Sequence, residues 1–170
     1  MHRLVNIVAI MTFLVGVAVV GGWQYERLLT GGKASSLQEA TVRLKREVDR
    51  RAAMVETEKT AEGWPRKVDA AWFGDAPPRN TWVTGGRPWL EIASAEQASL
   101  TDPVMRAVDD RVGAELAEFW YNPANGSVRA RVPCGASDRE TLRLYNRVNG
   151  SSLESLFESP KWRSASATDR

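Results

Sequence analysis

The chain has 170 residues, and 23 Lys and Arg against 21 Asp and Glu leave a formal net charge of +2. That field is too weak to favour nucleic acid as a partner. A single cysteine, Cys134, excludes an intrachain disulfide, and with His2 the only histidine no Cys/His zinc cluster can form.

Residues 1–3 read as a short leader. From Leu4 to Tyr25 no side chain is charged. A helix rises about 1.5 Å per residue, so roughly 20 such residues span a hydrocarbon core of about 30 Å. The sequence therefore predicts a transmembrane anchor over 4–25, entered at Leu4 and carrying Phe13 in its apolar body. Gly16, Gly21 and Gly22 offer small surfaces for close helix approach. Trp23 and Tyr25 suit the headgroup level. The run exceeds the roughly 7–15 residues of a signal core, and its nearest small-residue cleavage pattern is Val20-Gly21-Gly22, so it reads as retained. The leader is expected in the cytoplasm and the rest exported. His2 and Cys134 would then lie on opposite sides of the bilayer, which excludes a Cys–His nucleophile pair.

Residues 26–62 read as a juxtamembrane amphipathic helix, with Thr30-Gly31-Gly32-Lys33 as a weak point near its start. Ser36 and Glu39 form a capping-box pattern. Leu37, Ala40, Thr41, Leu44, Val48, Ala52 and Val55 make one narrow apolar stripe, and the helix is expected to run to about Lys59. The basic residues Arg43, Lys45, Arg46, Arg50 and Arg51 read as a solvated face. Gly63-Trp64-Pro65 ends the element.

Residues 63–158 read as a small, β-rich exported domain. Large aromatics supply its core volume between Pro- and Gly-rich loops. Candidate strands are Thr81–Thr84 and Trp89–Ala93, with a loop through Asp109-Asp110-Arg111. The clearest signal follows: Ala117–Asn122 as a strand, Pro123-Ala124-Asn125-Gly126 as a tight turn, and Ser127–Val132 as the returning strand. Alternation puts Val128, Ala130 and Val132 on a buried face and Arg129 and Arg131 on a cationic, wet one. Ser137 and Glu140 cap a short helix over Asp138–Val148, stopped by Asn149-Gly150. Ser152–Phe157 adds a final turn, and 159–170 reads as a disordered polar tail.

Chemistry is sparse. No phosphate-binding glycine loop, Gly-x-Ser-x-Gly elbow or metal-ligand spacing occurs. The expectation is therefore no enzymatic activity, no cofactor and no metal. Asn125-Gly-Ser127 and Asn149-Gly-Ser151 match glycosylation acceptors but read as turn and cap sequences.

The order of parts, together with Phe119-Trp120-Tyr121-Asn122-Pro123-Ala124-Asn125-Gly126-Ser127-Val128-Arg129-Ala130, resembles type IV pilins and type II secretion pseudopilins. In that family an aromatic strand leads through a Tyr-Asn-x-x-x-Gly turn into Val-Arg-Ala. The resemblance implies an α+β fold: a transmembrane helix, an amphipathic helix, a small antiparallel sheet and a short C-terminal helix. The family's acidic residue in the anchor and its leader ending in glycine are absent, which implies an unprocessed accessory component of a pilus or secretion apparatus. The expected place is the inner membrane, single-pass, with a periplasmic domain. Expected partners are the lipid bilayer and envelope proteins or further copies. Arg129, Arg131, Trp72, Trp82 and Trp89 form the candidate interaction surface. The competing reading is an anchored glycan- or peptide-binding module gripping its ligand with the Trp-rich loops.

Overall fold

The computed structural model describes residues 31–83, 86–109, 113 and 115–157. The chain divides into two compact units after Ala34, and the fold below is that of the second. The anchor expected over 4–25, with Leu4, Phe13, Gly16, Gly21, Gly22 and Trp23, lies outside the described residues, as does the tail from 158. Among the described residues no helix is long and apolar enough to cross a membrane. The expected fold class is corrected accordingly to an α+β arrangement of two helices and two small sheets.

Helix α1 occupies residues 31–53, including the Gly31-Gly32 pair expected to be a weak point. Its stripe of Leu37, Thr41, Leu44 and Val48 is buried, at spacings of three and four that keep one face inward. The helix stops at residue 53, short of the expected end near Lys59. The stripe finds no cover beyond that point, since Val55 is 94% exposed. A narrow turn takes over instead. Lys59 bridges Pro65, and Thr60 N–H donates to the Trp64 carbonyl at 2.8 Å.

The loop after α1 folds back over the helix. Arg43 lies over the Phe73 ring, Lys45 over Trp64 and Arg51 over Trp72, at 5.7, 4.8 and 4.7 Å. Part of the basic face expected to be bare is thus engaged with aromatics.

Three strands form the main sheet in the order β1 (Leu90–Ile92), β3 (Phe119–Asn122), β4 (Ser127–Ala130). Strands β3 and β4 are the expected antiparallel hairpin, but β1 runs parallel to β3. The sheet is mixed rather than antiparallel, because the chain between β1 and β3 crosses over before pairing. That crossover holds β2 (Ala107–Val108), which pairs in parallel with β5 (Val132–Pro133) in a second sheet. Of the other candidate strand, Thr81–Val83 form a turn.

Every residue of β3 is buried. A central strand with neighbours on both edges and cover on both faces has no wet side. Phe119 and Tyr121 share one face with Val128 and Ala130; Trp120 and Asn122 share the other with Arg129. Helix α2 (Asp138–Asn149) has the expected Ser137 cap, whose hydroxyl accepts from the Glu140 N–H, and Gly150 ends it in left-handed geometry.

Candidate interaction groove

The turn residues meet in one place. The Asn122 side chain donates to the Gln97, Ala98 and Leu100 carbonyls at 3.1, 3.0 and 2.7 Å. Its Oδ1 accepts from the Ala124 N–H. Asn125 bridges the Leu100 carbonyl and the Ser127 N–H. Pro123 offers its carbonyl to the Thr60 hydroxyl. Gly126 sits over the Trp64 ring. This turn is an internal joint, tying three loops together.

The two arginines expected on a wet face are also internal. Arg131 is 1% exposed. Its Nε donates to the Met105 carbonyl at 2.9 Å, one terminal nitrogen to the Ala117 carbonyl at 2.9 Å, and the other to Glu91 at 2.7 Å. The strand breaks at this residue between β4 and β5, and the loops at 105 and 117 close over it, so simple alternation fails. Burial pulls the guanidinium below its ordinary pKa, and Glu91 opposes that pull.

Arg129 is half-buried. It donates to Asp102 Oδ1 at 2.7 Å, and the buried Tyr145 hydroxyl donates to the same oxygen at 2.8 Å. Burial alone would raise the Asp102 pKa, but the Arg129 bond and charge, with Tyr145 and Thr101, hold it below the usual aspartate range. The Tyr145 pKa is raised by burial and then by Asp102. These charges are spent on holding the loop at 101–106, β4 and α2 together.

The tryptophans divide. Trp120 is fully buried, while Trp72, Trp82 and Trp89 are half-buried. Trp89 donates its indole N–H to the Pro78 carbonyl at 2.6 Å and meets Phe73 edge-on. Trp72 lies beneath Arg51. Two of the three candidate surface tryptophans are therefore committed to neighbours, and the structure does not gather the three into one platform with Arg129 and Arg131.

What remains open is a groove of about 360 Å³ between α1 and the C-terminal end of α2, floored by β4. Val128 and Val148 are buried beneath it, and Val42, 48% exposed, forms its α1 wall with Gln38, Lys45, Arg46 and Asp49. Lys45 pairs with Asp49 one turn on. The β4 edge at the groove is occupied. The Asn149 amide accepts from the Ala130 N–H at 2.7 Å and donates to its carbonyl at 3.0 Å, and Arg129 donates to the Val128 carbonyl at 3.0 Å. Sequence reasoning missed this groove. Its signal was Val42, an apolar side chain lying off the stripe of α1.

Among the described residues no group of His, Cys, Asp and Glu is placed to hold a metal ion. Cys134 is exposed. Desolvation, then Asp109 and Asp138, push its thiol pKa up, which keeps it in the less nucleophilic protonated form. No family model matches the chain, and neither a curated protein nor a solved structure does.

Proposed function

We propose that residues 35–157 form a non-enzymatic interaction domain, acting as a structural or accessory component of an envelope assembly of the pilus or secretion type. The observation that carries this reading is the groove along α1. It combines exposed apolar surface with charged rims, while Asp102, Arg129, Arg131 and Glu91 are consumed in internal bonds. A helix lying against an aromatic hairpin, with the Tyr121-Asn122 to Val128-Arg129-Ala130 sequence, supports the pilin-like part of the proposal. The parallel β1 is a departure from that pattern. A periplasmic place beside the inner membrane, in contact with lipid, is supported by the uncharged sequence from Leu4 to Tyr25.

The test is native electrophoresis of the full chain extracted from its own cells in mild detergent. Co-migration with other envelope proteins, identified by mass spectrometry, is the expected result. Migration as an isolated copy, with no membrane fraction, overturns the proposal. The glycan- or peptide-gripping alternative is disfavoured by the internal commitments of Trp72 and Trp89.

A further inference from the structure

The groove can be assigned an occupant by chemistry. Its apolar strip is Val42 backed by Val128 and Val148. The lining holds the cations Lys45, Arg46 and Arg129 against the single acid Asp49. Lys45 is matched by Asp49, and Arg129 by Asp102. Arg46 is exposed, and among the described residues no ion pair is formed by it. The groove thus presents a hydrophobic seat with one positive charge to spare.

Backbone pairing is excluded as the way in. An extended segment laid along β4 would need the Ala130 N–H and carbonyl, and both are held by Asn149. An incoming element has to bring its own backbone bonds satisfied, which is the property of a helix. The length of α1 at the groove, from Gln38 to Asp49, corresponds to about three helical turns.

We propose that this groove receives an acidic amphipathic helix of a partner protein. An apolar side chain of that helix sits over Val42, Val128 and Val148, and a carboxylate one turn away meets Arg46. This rests on the reading of the domain as an interaction module and names the chemistry of what it binds. The spare cation repels a second copy of the same basic α1 surface and attracts an acidic one, so charge complementarity favours a different chain.

The experiment places a photo-crosslinking amino acid at Gln38, on the groove rim, and separately at Val55, in the full chain expressed in its own cells. Crosslinked segments are sequenced. The expected result is adducts at Gln38 that map to a helix of another protein with Asp or Glu within a turn of an apolar residue. Arg46→Glu lowers the adduct yield at least fivefold, and changing the mapped carboxylate to Lys restores it in the Arg46→Glu chain. Adducts to a second copy of this chain, adducts to a segment without acids, or a yield indifferent to Arg46→Glu overturn the inference. If adducts at Gln38 are absent while the native assembly persists, the groove assignment fails and the interaction role stands. If the assembly is absent as well, both fail.

Discussion

Gly126 has φ of +71°, and a Cβ added there would stand 2.5 Å from carbons of the Trp64 ring. Two independent penalties therefore fall on any side chain at this residue. Left-handed geometry costs an L-residue roughly 1–2 kcal/mol, and pushing a packed indole aside costs roughly 1–3 kcal/mol more. Gly126→Ala is expected to lower stability by about 2–5 kcal/mol in a thermal or urea melt. Gly150→Ala separates the two causes. Gly150 has φ of +60° with nothing within 4 Å of an added Cβ, so only the backbone penalty applies and a smaller loss is expected. Equal losses at the two glycines would mean that Trp64 does not press on the turn. The need for glycine was legible, because Asn125-Gly126 between two apolar runs is a local turn signal. The indole beneath it was not, since Trp64 is remote in sequence and only the folded hairpin brings it there.

At the scale of elements, Asp102 joins the loop that carries it to β4 through Arg129 and to α2 through Tyr145. Its depressed pKa makes this joint a source of stability with a definite pH sign. A carboxylate whose folded pKa lies below its unfolded value, about 3.9, stabilises fully above that value. The contribution is lost as pH falls through the folded pKa. Melting followed from pH 6 to pH 2 should therefore show the wild type losing stability below about pH 4. In Asp102→Asn the loss over that window should be shallower, and the variant should start about 3 kcal/mol lower at pH 6. Parallel curves would show that Asp102 is not held by Arg129 and Tyr145. Elements with local signals were legible: α2 from its Ser137 cap and Gly150 stop, and β3 and β4 from their alternation and turn. β2 was not, because two residues, Ala107 and Val108, show no periodicity. The parallel register of β1 on β3 was equally invisible, since a long crossover leaves no pattern in either strand. The end of α1 misled for a different reason. Helical spacing continues to Val55, but periodicity says where a stripe could lie and not whether anything covers it.

For the molecule as a whole, the two sheets meet at Arg131, whose peptide carbonyl accepts from Asn80 at 2.7 Å and whose N–H donates to Glu118 at 3.1 Å. Its side chain then reaches the crossover at Met105, the start of β3 at Ala117 and the β1 residue Glu91. Replacing a buried ion pair on both sides with apolar groups can be neutral, but removing one partner leaves acceptors stranded. Arg131→Met keeps the length of the side chain and strips every donor. The expected cost is roughly 3–5 kcal/mol, a large share of the 5–15 kcal/mol typical of a domain. Arg131→Lys should rescue only part of it, since one ammonium cannot reproduce a planar fork aimed at three acceptors. Urea unfolding should show a lower midpoint with an unchanged slope, because the residue links layers within one cooperative unit. Arg46→Glu, on the exposed groove rim, should stay within about 0.5 kcal/mol of wild type. That contrast inverts the simplest reading of the strand, in which Arg131 faces water and is free to meet a partner. If Arg131→Met unfolded at the wild-type urea concentration, the buried arginine would not be what joins the two sheets.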